Sequence, residues 1–398
     1  DIMDEAVEIC TLRLFLKLAA QLERAEKIEP LPDIDFNIRA GNSLIGYTSF
    51  DDVRRAQERR GFVMDDQAGA IEASAQDLDA AFGLFRQQQT ELHGHIDGSH
   101  KADLRARFAA LETQLDRFLA QDYGIEIADG LAESPKLKRW KTSHKPFHWL
   151  VEFYGIMAAG GFDAIVGNPP YLETREVDYL PINFATLDSR AIHAFFVERS
   201  DDLLGPTGTM SMILPMSLVS TQRMKAVQNI IENGRSCWYS NFAWRPAKLF
   251  DNVNRALTIF VACPSGSPEC YSTGYIKWTA PYRDNIISNL AYVSVPHARA
   301  TFWVPKLQSG LETGLMKKVL SQPDTLERIW RAGGSSVFYR TTGGLYWKVF
   351  TSFPPKFYVN GVAGSSSRET RMPIAAGYPV EAVAAILSSN TFWWWYTI

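Results

Sequence analysis

The sequence predicts an α/β protein built on a doubly wound, mostly parallel sheet, and three observations carry that expectation. The apolar run Phe162-Asp163-Ala164-Ile165-Val166-Gly167 stops abruptly at Asn168-Pro169-Pro170-Tyr171. Prolines cannot donate to a sheet ladder, so the pair ends a strand where its carboxyl edge meets solvent. Downstream, strand candidates at 209–214, 237–242 and 256–262 are interrupted by a helix candidate at 221–232. Such alternation favours parallel pairing. Near the start, Val7, Cys10, Leu14 and Leu18 recur at three and four residues, and Ile9, Leu12 and Leu16 widen the apolar face. A helix apolar over most of its girth is expected to pack between layers.

In chain order, Asp4 is a candidate N-cap for that first helix, and Asp1-Ile2 reads as the tail of a preceding strand. After Pro30 and Pro32, Phe36-Asn37-Ile38-Arg39-Ala40 predicts a short strand closing on Gly41-Asn42-Ser43. The texture then changes. Ile71, Ala75, Leu78, Phe82 and Phe85 step by four and three, as do Leu104, Phe108, Leu111, Leu115 and Phe118. Both are heptad-like seams, and the stretch from His93 to Ser99 between them reads as a turn. An antiparallel helical hairpin inserted into the α/β domain is expected. From Pro264 onward, Gly/Ser/Pro turns and aromatic strand candidates at 271–278 and 337–350 surround a helix near 311–320, forming a second, smaller domain. The expected divisions are 1–50 for the first part of the α/β domain, 51–145 for the insertion and 146–263 for the part carrying Asn168. A connecting region at 264–334 and the opening of a further domain at 335–398 complete the chain.

Composition narrows the function classes. A chain of 398 residues holds two or three domains, and 46% hydrophobic with 21% charged residues is ordinary for a globular protein. Cys10, Cys237, Cys263 and Cys270 are scattered without a CxxC pair, and His144 and His148 lack a third ligand nearby, so no metal site is expected. The cysteine usage fits a reducing cytosol and a cytoplasmic location. No apolar stretch approaches a membrane span and no signal peptide opens the chain, so no membrane partner is expected. A net charge of −3 supplies no long-range attraction to nucleic acid, which leaves any such contact to a local basic surface. The clearest one is Lys136, Lys138, Arg139, Lys141 and Lys145, with Trp140 interleaved. It reads either as a phosphate-contacting surface or as a solvated loop. The opening Asp1-Ile2-Met3 and the final aromatic run Phe392-Trp393-Trp394-Trp395-Tyr396 suggest a segment of a longer polypeptide.

The chemistry sits in Asn168-Pro169-Pro170-Tyr171. It presents an amide side chain, a backbone carbonyl ahead of a proline, and an aromatic ring, at the sheet edge where open α/β folds bind ligands. An amino group on a flat nitrogen heterocycle needs that set: acceptors for two N–H bonds and a face to stack on. The competing reading is a strand-ending turn followed by a surface tyrosine.

The tetrad resembles the catalytic motif of S-adenosylmethionine-dependent amino-methyltransferases, in particular the adenine-N6 DNA methyltransferases. Other stretches are similar to the large adenine-specific methyltransferases of type IIG restriction–modification systems and of class 1 BREX phage defence. These are Asp1-Ile2 with Glu5-Ala6-Val7-Glu8-Ile9, the run from Ile38 through Asn42 to Gly46, Pro146-Phe147-His148-Trp149, Gly160-Gly161-Phe162-Asp163, and Leu249-Phe250-Asp251-Asn252-Val253. The stretch from about Ser335 resembles the opening of a target-recognition domain.

The resemblance implies a Rossmann-like methyltransferase sheet, incomplete at its N-terminal side, with an inserted helical hairpin and the start of a target-recognition domain. It implies site-specific transfer of a methyl group from S-adenosyl-L-methionine to N6 of a flipped-out adenine in double-stranded DNA, in restriction–modification or phage defence. Asn168, Pro169, Pro170 and Tyr171 would be catalytic. Asp1, Ile2 and Asn42 would bind the cofactor, with an acid on the ribose hydroxyls and Asn42 on the adenine. Tyr171 and Phe250 would contact the target base. The family's glycine-rich cofactor loop has no counterpart in these residues, and no nuclease domain is visible. The implied partners are therefore DNA, an upstream or separate segment carrying that loop, and restriction or defence subunits. Two alternatives stand beside this reading: the same tetrad acting on RNA or protein, and a catalytically silent DNA-recognition subunit or truncated remnant.

Overall fold

Helix α1 (Asp4–Ala19) forms where the apolar periodicity predicts it, in a computed structural model that describes residues 3–21, 37–60, 67–91, 98–126, 134–296, 301–331, 333–340 and 350–398. The expected burial of α1 is not met. Ile9, Leu12, Leu14 and Leu16 are 53, 57, 42 and 55% exposed. Periodicity is a local property that specifies the helix, whereas burial needs a partner surface, and the described residues bring none to these side chains.

The chain divides into two units, Asp1–Cys237 with Ile259–Pro268, and Trp238–Thr258 with Glu269–Ile398. In the first, the expected strand at 36–40 is replaced by a turn and irregular backbone over 37–40, Phe36 lying outside the described residues. Just after it, Asn42 makes an isolated parallel bridge to Pro146. Helix α2 (Phe50–Arg59) follows, started by a reciprocal cap between Ser49 and Asp52. Helices α3 (Gln67–Glu91) and α4 (Gly98–Asp122) pack together as the two seams predict. The residues 92–97 expected to turn between them lie outside the described set. Ile71, Ala75 and Leu78 share one core with Leu104, Leu111, Leu115 and Phe118, and also with Ile45, Tyr47, Leu137, Trp140 and Leu150. The insertion is thus packed into the segments on either side of it.

The basic run is a helix, α5 (Pro135–His144), and not a loop. Ser134 Oγ accepts from the Leu137 N–H at 3.2 Å and Pro135 occupies the first turn, both normal helix starters. Trp140 is core, not an exposed stacking platform. Short helices α6 (Trp149–Glu152) and α7 (Tyr154–Ala158) lead into strand β1 (Phe162–Gly167). Helix α8 (Ile192–Leu203) and strand β2 (Leu204–Pro215) follow, and β1 pairs with β2 in parallel, Gly167 opposite Met212. After α9 (Ser217–Ser220) and α10 (Lys225–Glu232) come β3 (Arg235–Phe242), β4 (Leu257–Pro264), β5 (Cys270–Ile276) and β6 (Val293–Val295). The result is a mixed six-stranded sheet in the order β1-β2-β4-β3-β5-β6. Parallel β1–β2 pairing and antiparallel β5–β6 pairing account for its mixed character.

The second unit continues with α11 (Gly310–Leu320), α12 (Leu326–Ile329), β7 (Ser336–Arg340), β8 (Phe350–Thr351), β9 (Phe357–Val359), β10 (Val362–Gly364), β11 (Glu369–Pro373), α13 (Val380–Leu387) and α14 (Asn390–Thr397). Sheet β11-β7-β8 and α13 bury Val337, Met372, Ile374, Val383 and Leu387 together. Among the described residues no helix is long and apolar enough to cross a membrane.

Gly46 is fixed by a close backbone approach. Gly46 has φ +151°, and a Cβ there would lie 1.9 Å from the Phe147 carbonyl oxygen. Gly46→Ala is expected to cost about 1–3 kcal/mol in backbone strain, plus displacement of the 145–149 segment. Gly124→Ala, at φ +72° with nothing within 4 Å, should cost visibly less. Urea unfolding of both variants tests this ordering.

Candidate active site

The register of β1 on β2 brings the tetrad out beside Ile213. Asn168 and Pro170 are exposed, Pro169 is buried and Tyr171 is half-buried. Tyr171 Oη lies 2.8 Å from Asn168 Oδ1 and 3.1 Å from the Ile213 carbonyl oxygen. The His193 ring, buried on α8, stands perpendicular to the Tyr171 ring, with centroids 6.5 Å apart and planes at 89°.

The chain leaving the tetrad is fastened down. Leu172 O accepts from the Ile192 N–H at 2.9 Å, and the Thr174 N–H donates to Arg190 O at 3.0 Å. The Glu173 carboxylate takes both Arg223 guanidinium nitrogens, at 3.1 and 2.7 Å. That hydrogen bonding holds the Glu173 carboxyl below the usual carboxylate range. His193, Ile213, Glu173 and Arg223 went unnoticed in the sequence because their partners are 20 to 50 positions away and no local pattern marks such pairs.

The Asn42 segment is equally fixed. The Asn42 N–H donates to Lys145 O at 2.7 Å, the Phe147 N–H to Ile45 O at 2.6 Å, and Trp149 Nε1 to Ser43 O at 3.1 Å. The Tyr47 N–H donates to His148 Nδ1 at 3.3 Å, which leaves the proton of the neutral ring on Nε2, facing Asp116 Oδ1 at 3.3 Å. Asp116 Oδ2 also receives Lys141 Nζ at 2.9 Å, and Arg39 Nε pairs with Glu152 at 2.8 Å. Burial, and then the hydrogen bond and repulsion with Glu152, push Glu112 up to about 8.

Asn42 itself is 4% exposed. Its Oδ1 accepts from the Leu44 N–H at 3.2 Å, while its Nδ2 is buried with no hydrogen-bond partner among the described residues. An orphaned buried donor costs about 1–3 kcal/mol. An amide with its acceptor used and its donor open fits a ligand that offers a ring-nitrogen acceptor.

The other candidate residues are spread more widely. Asp1 and Ile2 lie outside the described residues. Phe250 is 38% exposed in the second unit, on a loop held by Arg283, whose Nη2 donates to Leu249 O at 2.7 Å. Lys136, Lys138 and Arg139 on α5 and Lys145 just after it are exposed, whereas Lys141 faces Asp116. No group of three His, Cys, Asp or Glu side chains suited to a metal ion occurs among the described residues.

The model of the Eco57I restriction-modification methylase family matches residues 1–250. The chain belongs to that family. It is 28% identical over 268 residues to a Methanocaldococcus jannaschii protein, RM.MjaORFECS2P, named as a type II restriction enzyme and methyltransferase. That match covers 54% of this chain and 21% of the relative, so the chain spans about a fifth of the relative's length. Among solved structures, the Type ISP restriction-modification enzyme LlaGI, as a nuclease-deletion mutant with a DNA substrate mimic, aligns over 83% of this chain and 35% of its own, at 10% identity and a TM-score of 0.32. The DrdV–DNA complex aligns over 48% of this chain and 23% of its own, at 11% identity and a TM-score of 0.29. At such scores the family match and the sheet itself carry the assignment.

Glu112 makes the network around the Asn42 segment pH-sensitive. Its folded carboxyl stays protonated up to about 8, against an ordinary value of 4.5. Its contribution to stability is therefore full below the unfolded value and is lost as pH rises through the folded one. Glu112→Gln should remove this decline, so that the variant gains on the parent most above about pH 8. Urea midpoints measured across that window check the sign.

Proposed function

We propose that the chain is the catalytic part of a site-specific DNA methyltransferase of a restriction–modification system, acting on N6 of an adenine flipped out of the duplex. The observation that carries this reading is the exposed Asn168 at the carboxyl end of β1, its amide oxygen beside the Tyr171 phenol, in a member of a restriction-modification methylase family.

The N6 amine is a poor nucleophile because its lone pair is delocalised into the ring. Asn168 Oδ1 and the Pro169 carbonyl accept its two N–H bonds, which draws the nitrogen toward tetrahedral geometry and localises the lone pair. The same two oxygens absorb the positive charge that develops on the nitrogen. The rest is alignment, which turns a bimolecular step into an intramolecular one. The proton leaves after transfer, so no general base is required beforehand.

Flipping the base costs a few kcal/mol, and stacking on Tyr171 returns about 1–3 kcal/mol. Asn42, with its buried open donor, holds the adenine of S-adenosylmethionine, which supplies the electrophilic methyl group when bound. Lys136, Lys138 and Arg139 on α5, with Lys145 just after it, contact DNA phosphates. Reading of the base sequence belongs to the region from about 335, and the glycine-rich cofactor loop comes from an upstream or separate segment.

Asn168→Ala should lower turnover about 10²–10³-fold with the fold intact. Single-molecule sequencing for N6-methyladenine, in a methylation-free host expressing the chain or this variant, reads it out. Methylation at one motif, lost in the variant, is the expected result; equal methylation by both would sink the mechanism. Reversing the charges of Lys136 and Lys138 should flatten the salt dependence of DNA binding, its slope falling by roughly 0.9 for each phosphate that is no longer neutralised. An unchanged slope would return α5 to the role of a solvated helix.

A further inference from the structure

Tyr171 Oη stands where two carbonyl oxygens converge, Asn168 Oδ1 at 2.8 Å and Ile213 O at 3.1 Å. Both are acceptors, and a phenol has one hydrogen to offer. One hydrogen cannot make two full bonds, so the hydroxyl is divided between the two oxygens, by sharing or by alternation. The ring is steadied from another side by a T-shaped contact with the buried His193 ring. Asn168 is exposed, so its oxygen is held by the protein's own hydroxyl at a position a solvent-borne ligand can reach.

Resting on the reading of Asn168 as the amine acceptor, we infer that the Tyr171 hydroxyl is an internal stand-in for the substrate amino group. It holds Asn168 Oδ1 until an exocyclic amine takes that oxygen, and it then keeps the Ile213 carbonyl as its acceptor. The exchange replaces one O–H···O=C bond by one N–H···O=C bond at the same oxygen, and no covalent bond changes. The two acceptors have different roles: one is surrendered and the other retains the tyrosine. A heterocycle without an exocyclic amine has nothing to exchange for the hydroxyl, so the arrangement adds selectivity for aminated bases.

Tyr171→Phe keeps the stacking ring and removes the competitor. Adenosine, cytidine and purine riboside, which is adenosine without its amino group, are titrated into the full chain and this variant by ligand-observed NMR. Thermal unfolding confirms that both are folded. The variant should bind adenosine roughly five-fold more tightly and purine riboside equally. The adenosine gain should vanish in an Asn168→Ala background, which separates this position from the nucleoside site at Asn42.

An amine-dependent gain for cytidine in place of adenosine would uphold the stand-in and overturn the adenine assignment. Several results would overturn the stand-in itself. Weaker adenosine binding would mean that the hydroxyl orients Asn168 and does not compete for it. An equal gain for purine riboside would mean simple steric blocking. Equal affinities, or no binding to either protein, would leave the hydroxyl without the inferred role.

Discussion

The parallel register of β1 on β2 is the constraint on which the candidate site depends. With Gly167 opposite Met212, the strand delivers Asn168 alongside Ile213, and the two prolines that follow cannot extend the ladder. The backbone must leave the sheet there, and the amide and the phenol are set down together at its carboxyl edge. A shift of one residue would turn each side chain to the opposite face. The Glu173–Arg223 pair and the bonds from 172–174 to the start of α8 then hold the departing chain in place.

A second seam does the same for Asn42. The 42–47 segment is not a strand of the sheet, yet its N–H and carbonyl groups are matched by Lys145, Phe147, His148 and Trp149. Gly46 permits the close approach. Behind this seam lies a polar group in which buried Asp116 and His148 meet half-buried Lys141, Arg39, Glu152 and Glu112. Buried charges are costly unless paired, and here the pairing crosses from α4 and α5 to the Asn42 segment. The helical insertion, which the heptad seams present as an appended hairpin, is part of the scaffold that orients Asn42.

The family match and the tetrad point to the same chemistry from separate directions. One rests on similarity along residues 1–250; the other on an exposed amide acceptor next to an aromatic ring at a sheet edge. The outer edge of β1 carries Val166 at 83% exposed, and α1 presents an apolar surface to solvent. Both belong to the unit that carries the tetrad.

How much was legible beforehand follows from the range of each interaction. The end of β1, the two seams of the hairpin, the helix at 311–320 and the strands at 209–214, 237–242 and 256–262 are written in neighbouring residues, and each formed within a few positions of its expected place. For α5, the Ser134 cap and Pro135 were readable, but the lysine run read equally as a phosphate-contacting surface or a solvated loop, and only the burial of Leu137 and Trp140 makes the helix secure. The short strand at 36–40 and the burial of α1 failed because both depend on surfaces far away in the chain. By itself, then, the sequence determined most of the secondary elements, the end of β1 at Asn168 and the kinship with restriction-modification methylases, all of which rest on local periodicity, turn chemistry and motif. The tertiary structure alone decided that Tyr171 rests on Asn168, that Glu173 meets Arg223 and that Asn42 keeps an open donor, because hydrogen bonds between distant residues leave no periodic trace in the sequence.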